Sequence, residues 1–235
     1  MPSAAGQPDP QPVERRVADS LLSAMLLAIT GGSLDAFVYL NHGHVFAAAM
    51  TGNGVLFGVA ILRHDPMQGI RHILPILAFL LGVFMAKLLD QKLSRHAVAV
   101  GLLCEILVLL AASWLPGSFP DLAFVPLIAV VAAYQVASFR TADTYSYNST
   151  FMTGNLRTAI DGLYAGLFTA RTPEERQKGL RKFRELSLIV ASFMGGTILG
   201  ALLAPRMFNH TLWIVDLPLV VVLTLAVERS RREKA

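Results

Sequence analysis

Two carboxylates and two copies of a polar tetrapeptide are the groups in this 235-residue chain that could do chemistry, and all of them sit in apolar surroundings. Asp35 lies deep in the first apolar block, next to Gly31, Gly32 and Ser33, and Glu105 lies in the run GLLCEILVLLAASWL. A charged side chain at the centre of a bilayer costs about 3 kcal/mol even on insertion scales, so an intramembrane acid is by default a carrier of charge or of a proton. Glu105 needs a basic partner, Arg140 or Arg157, or a proton of its own. An acid that can be either charged or neutral is what proton coupling requires. The plainer alternatives are a neutral Glu105 bonded to a neighbouring carbonyl, and an Asp35 that sits near the interface or caps a helix restarting after the Gly pair.

The tetrapeptide Met-Thr-Gly-Asn occurs at Met50 to Asn53 and again at Met152 to Asn155. Gly52 and Gly154 can interrupt a helix. Thr51, Asn53, Thr153 and Asn155 bring hydroxyl and amide groups whose burial is costly unless they are partnered. Broken helices of this kind place backbone dipoles at substrate and ion sites in transporters, and the same groups also serve as glue between packed helices. In the second copy Thr153, Arg157 and Asp161 follow at steps of four and share one helix face, where Arg157 can pair with Asp161 or the face can lie solvated at the interface. The first copy has Thr51, Val55 and Val59 there, so the two segments are not interchangeable.

Other groups suggest less. His42 and His44 in NHGH have no carboxylate or cysteine to complete a metal set and read as a solvated loop. Asp216, just before Pro218, reads as an interface marker. The single Cys104 excludes a disulfide framework, and neither a metal nor another cofactor is expected. Signatures of hydrolases, zinc proteases and phosphate-binding loops are absent, so no enzyme is expected; an intramembrane lipid enzyme would have only Glu105 and a histidine to work with.

The elements that position these groups follow from composition. The chain is 54% hydrophobic and only 15% charged, against roughly 25% charged in soluble domains. Eight apolar blocks run at about 20–40, 45–62, 72–90, 97–115, 122–139, 147–168, 185–204 and 211–227, several of them near the span of a bilayer. The fold class is therefore all-α, a polytopic integral membrane protein. Residues 1–17 are expected to form a disordered cytoplasmic tail, 18–228 a single membrane domain, and 229–235 a basic cytoplasmic tail. The repeated tetrapeptide, each time after one apolar block and before two more, divides the domain into homologous halves, 18–116 and 119–228. Six blocks read as transmembrane helices, and the two Met-Thr-Gly-Asn segments are re-entrant or spanning.

Re-entry places Lys87, Lys92, Arg95, Arg140 and Arg157 on the inside with the basic tails and the 171–184 run, which the positive-inside rule favours. Segment length argues for spanning instead. Both arrangements put the termini in the cytoplasm. The run RTPEERQKGLRKFR reads as an amphipathic cytoplasmic connector, and Gly54/Gly58, Gly162/Gly166 and Gly196/Gly200 as sites of tight helix packing first and of dimerisation second.

The stretch GGSLDAFVYL at 31–40 followed by FAAAMTGNGVLFGVAIL resembles the YoaK family of bacterial membrane proteins. Tyr134, Gln135 and Arg140 ahead of STFMTGN are similar to that family's Gln and basic residue before its second Thr-Gly motif. The resemblance covers nearly the whole chain and implies a multi-pass inner-membrane protein without supplying a mechanism. Taken with the residues, it leads to a small secondary transporter or channel-like protein for a small solute or ion, with Asp35, Thr51, Asn53, Glu105, Gln135, Thr153, Asn155, Arg157 and Asp161 as pathway candidates. A non-transporting scaffold or assembly partner is the alternative. The partners expected are the lipid bilayer and that solute, with homo-oligomers compatible and nucleic acid excluded.

Overall fold

The computed structural model describes residues 20–93, 96–139, 141–142, 145–147, 149–150 and 152–232. The tail read at 1–17, together with Arg95, Arg140, Asp143 and Asn148, lies outside the described residues. Every apolar block becomes a helix: α1 (Leu21–Asn41), α2 (Met50–Leu62), α3 (Pro66–Leu93), α4 (Ala97–Ser113), α5 (Asp121–Ser138), α6 (Met152–Tyr164), α7 (Pro173–Met207) and α8 (Thr211–Arg232). A two-residue antiparallel ladder, Thr141–Ala142 with Tyr145–Ser146, follows α5, and α6 runs on as a π turn over Ala165–Thr169.

The helix starts are written in the chain. Ser20 Oγ accepts from the Ser23 amide at 3.2 Å and caps α1. Asp65 Oδ1 accepts from the Gln68 amide at 3.0 Å ahead of Pro66. Thr172 Oγ1 accepts from the Glu175 amide, while Glu175 reaches back to the Arg171 amide, around a Pro at the first position of α7. This last cap corrects the reading of 171–184 as a connector: from Pro173 onward the run is the beginning of α7, a helix of 35 residues.

Among the described residues, four segments are long and apolar enough to cross a bilayer: Leu21–Asn41, Pro66–Leu93, Asp121–Ser138 and Pro173–Glu228. The last is broken into α7 and α8 by a 3-10 turn at Phe208–His210, where Phe208 takes a φ of 48°, unusual for an aromatic residue. Helices α2 and α4 are shorter, 13 and 17 residues.

Helix pairing rests on backbone approach. Lipid tails are as apolar as leucine, so membrane helices associate where small residues let backbones touch. Helix α1 packs along α7, α3 along α5, α4 along α8, α2 on α3 and α6 on α7. A methyl at Gly32 would collide with the Phe193 carbonyl, one at Gly196 with the backbone of Ile29, and one at Gly200 with that of Ser33. Ser33 Oγ donates to the Gly196 carbonyl across this seam at 2.9 Å. Gly82 meets the Val130 carbonyl in the α3–α5 seam, and Gly162 and Gly166 meet the backbone at Gly179 in the α6–α7 seam. Two of the three Gly-x-x-x-Gly pairs thus pack internally. Gly54 and Gly58 face open space, because the face of α2 that carries them points away from α3.

Leu27, Leu34, Phe37, Leu102, Leu109, Phe124, Ile128, Leu212 and Leu219 form the main core among α1, α4, α5 and α8. Large apolar side chains such as Leu80, Phe84, Leu107 and Ile198 face outward, as expected where the surroundings are hydrocarbon.

Equal glycines by spacing are therefore unequal by contact. Gly196→Ala is expected to cost about 1–3 kcal/mol through overpacking, whereas Gly54→Ala is neutral or stabilising by up to about 1 kcal/mol. Thermal melts of the detergent-purified variants check this, and equal shifts would contradict it.

Candidate functional site

Asp35 is buried on α1, six residues before its end. Its Oδ1 accepts from the Ala48 amide at 2.7 Å and, more weakly, from the Ala49 amide at 3.4 Å. Ala49 is the N-cap of α2 and has no cap of its own, so a carboxylate from another helix supplies the anion that a helix N-terminus favours. The cap role raised from the sequence is present, but for α2 rather than for a helix restarting after the Gly pair. Oδ2 is buried and has no hydrogen-bond partner among the described residues.

Asn53 uses both ends of its amide on one neighbour. Its Oδ1 accepts from the Phe46 amide at 2.9 Å, and its Nδ2 donates to the Phe46 carbonyl at 2.8 Å. The Phe46 ring lies over Gly52, where a side chain would collide with it, and stacks on Tyr39 at 5.0 Å. Thr51 is exposed. In the first motif, then, Asn supplies the clamp and Gly the room that folds residues 46–49 back onto α2.

This fold-back sets the depth of α2. It begins beside Asp35, about 9 Å below the end of α1 at 1.5 Å per residue. It ends at the turn into α3, whose Arg71 lies against Gly43, just past the end of α1. The far end of α2 thus lies near the loop that leads into it, with His44 lining one cavity together with Arg63 and Asp65.

The second motif approaches the same part of α1. Ser149 and Thr150, just ahead of α6, lie against Gly31, and Gln135 Nε2 donates to the Leu27 carbonyl at 2.8 Å beside them. Asn155 is buried. Beyond α5, Tyr145 Oη donates to the Lys178 carbonyl near the start of α7, at 3.3 Å. The residues leading into α2 and into α6 therefore reach α1 four residues apart, at Asp35 and Gly31, in the middle of a helix of 21 residues. Thr153, Arg157 and Asp161 do share a face, but it points out of the bundle, and Arg157 and Asp161 make no ion pair.

Glu105 is 1% exposed, and neither carboxylate oxygen has a hydrogen-bond partner among the described residues. Arg157, one expected partner, is exposed on α6. The neighbour within electrostatic reach is Asp216 of α8, 2% exposed and likewise unpartnered at both oxygens. This corrects the reading of Asp216 as an interface marker: it follows Val215 and lies between Leu212 and Leu219 on the face of α8 that fills the core. Tyr134 completes the wall, its ring occupying the space left by Gly101 one turn before Glu105 and its hydroxyl donating to the Ala97 carbonyl at 2.7 Å.

The family model described as a protein of unknown function, DUF1275, matches residues 23–225, a span that includes both motifs, Glu105 and Asp216. The chain belongs to this family. UPF0700 transmembrane protein YoaK of Bacillus subtilis (strain 168) is 29% identical over 214 residues, which cover 87% of this chain and 90% of that protein. No solved structure matches. The YoaK resemblance carried by the motif residues is thereby borne out: this is a YoaK-like transmembrane protein of the DUF1275 family.

His42 is a further correction. It is 3% exposed instead of solvated, with Nδ1 at 2.9 Å from Asp121 Oδ1 and Nε2 at 2.9 Å from Asn209 Oδ1. Its partners lie 79 and 167 positions along the chain, and no local pattern announces them. Asp216 carried one usable signal, an acid spaced to share a face with Leu212 and Leu219.

If Asn53 is the clamp of the first motif, Asn53→Ala leaves the Phe46 amide and carbonyl unpaired and destabilises the protein by about 1–3 kcal/mol per orphaned group. Thr51→Ala is expected to leave the melting temperature unchanged, and equal effects at the two positions would remove the distinction.

Proposed function

We propose that this protein is a small secondary transporter or channel-like protein that moves a small solute or ion across the bacterial inner membrane. The observation that carries the reading is the convergence at mid-helix of α1: the approaches to two short motif helices meet there, around a buried carboxylate with one unused oxygen. Helix starts brought to the middle of a membrane domain are how transporter folds assemble substrate and ion sites. In this reading Asp35 and the backbone at the motif starts face the solute, and Glu105 with Asp216 carries charge or a proton across the α4–α8 seam.

The same reading takes α1, α3, α4, α5, α7 and α8 as six spans and α2 and α6 as re-entrant. For α2 support comes from length, since 13 residues of helix cover about 20 Å of a hydrocarbon core near 30 Å. Support also comes from the pairings. Exchanging residues 18–116 with 119–228 turns α1–α7 into α5–α3, α2–α3 into α6–α7 and α1–α8 into α5–α4, all of which occur, and maps α4–α8 onto itself. The unpartnered acids lie in the self-mapped contact, the place where repeat-built transporters bind. With an odd number of spans in each half, the repeats are inverted and both termini lie on one side, which the excess of Lys and Arg there makes the cytoplasmic side.

One observation favours the scaffold reading. Asn53 and one oxygen of Asp35 are fully occupied by internal bonds, which packing alone would explain.

Two measurements separate these readings. On a Cys104→Ser background, Thr51→Cys and Thr153→Cys are expected to react with a membrane-impermeant reagent from opposite faces of the membrane, and labelling from one face only would overturn the inverted arrangement. In proteoliposomes carrying an internal pH-sensitive dye, wild-type protein is expected to pass protons, and Asp35→Asn, Glu105→Gln or Asp216→Asn each to lower that flux by about tenfold or more with the protein level unchanged. Wild-type flux no greater than that of empty vesicles, with losses in the variants confined to protein level, would support the scaffold.

A further inference from the structure

The hydrogen bonds around His42 fix how many protons its ring holds. Asn209 Nδ2 donates to the Leu115 carbonyl at 2.9 Å, which orients the amide so that its oxygen faces His42 Nε2. Asp121 presents a carboxylate oxygen to Nδ1. Both ring nitrogens therefore meet acceptors. A neutral imidazole has one N–H and can satisfy only one of them, whereas an imidazolium has two.

We propose that His42, Asp121 and Asn209 form a proton-binding site, and that the bound proton ties the end of α1 to the start of α5 and to the turn between α7 and α8. Asn209 extends the tie to the α4–α5 loop through Leu115. The ring is built in on its remaining sides. It stacks on Phe124, centroids 3.9 Å apart and planes at 15°, meets the Phe37 ring edge-on at 5.2 Å and lies 5.5 Å from Phe208. A cation over an aromatic face is favourable. The charged groups that bear on it are Asp121 from α5, which attracts the proton, and Arg71 from α3, which opposes it and lines the same small cavity. His210, in the turn, lies tilted over Trp213 and edge-on to Trp114, and His44 packs on Tyr39. Asp121 is 31% exposed, so water reaches the pair and the proton has a route in and out.

Loss of the proton to water leaves a neutral ring with one hydrogen. It keeps Asp121 or Asn209 but not both. If the Asn209 bond goes, a buried amide oxygen faces a lone pair and the turn at Phe208 keeps only its bond to the Leu115 carbonyl. The site joins segments from both halves of the sequence, so its proton state reports on how they are held together whether or not the protein transports anything.

Nitrogen-15 spectra of histidine-labelled full-length protein in detergent test this. At neutral pH one ring is expected to carry hydrogen on both nitrogens, and to do so still when exposed His44, His64, His96 and His210 are replaced by Gln. That signal should disappear in Asp121→Asn. Raising the pH is expected to convert the ring to its neutral form and, over the same interval, to lower the melting temperature by several degrees, a fall absent from His42→Gln and Asp121→Asn. A neutral His42 ring at neutral pH overturns the proposal. So does a pH dependence of melting that is the same in wild type and Asp121→Asn.

Discussion

In hydrocarbon, α1 and α7 gain nothing from being apolar to each other, and they hold together because three glycines let their backbones meet. Gly32 opens the seam on one side, Gly196 and Gly200 on the other, and the Ser33 hydroxyl fastens it to the Gly196 carbonyl. Most other placements of polar groups refer to α1. Asp35 on this helix sets where α2 begins, Gly31 admits the segment before α6, the Leu27 carbonyl receives Gln135, and Thr30 Oγ1 donates to the Val215 carbonyl of α8. Displacing α1 by the width of a methyl group would disturb all four at once.

The buried polar groups divide by how completely they are satisfied, and that division says more than their presence. Asn53 is saturated by Phe46 and needs no ligand to justify its burial. Asp35 is half satisfied, with one oxygen on the start of α2 and the other without a partner among the described residues. Glu105 and Asp216 have none among the described residues at any of their carboxylate oxygens. A group kept only for packing is cheapest when all its hydrogen bonds are made, because an unmade bond in a dry interior costs about 1–3 kcal/mol. The ordering from Asn53 to Glu105 is thus one of increasing cost to stability, and the cost is greatest where α4 crosses α8.

The elements were legible in the sequence because lipid imposes a simple rule: a run of apolar residues near 20 in length forms a helix. Eight blocks became eight helices for that reason. The charged start of α7 escaped the rule. It is helical through a capping arrangement, Thr172 and Glu175 around Pro173, that composition obscures. The site was legible only where a residue announces its own cost, as Glu105 and Asp35 do. His42 and Asp216 are expensive only because of what surrounds them, and their surroundings come from distant parts of the chain. Spacing failed for the same reason at Gly54 and Gly58, which match Gly196 and Gly200 in pattern and differ in having no helix opposite.

The two motif segments show what a repeated tetrapeptide does and does not carry over. Both copies keep a buried Asn at the fourth position, and both are approached by a segment that rests on the middle of α1. The carboxylate that steadies α2 has no counterpart near the end of α5, where residues 132–138 contain no acid and Gln135 reaches the Leu27 carbonyl instead. The open face of α2 is apolar, while α6 presents Thr153, Arg157 and Asp161 outward. The acid that steadies the first motif therefore lies inside the bundle, whereas the charges that α6 itself carries point out of it. A symmetric packing role would have no use for that inversion. A protein whose two segments enter from different sides of a membrane would, since the two segments then border different compartments.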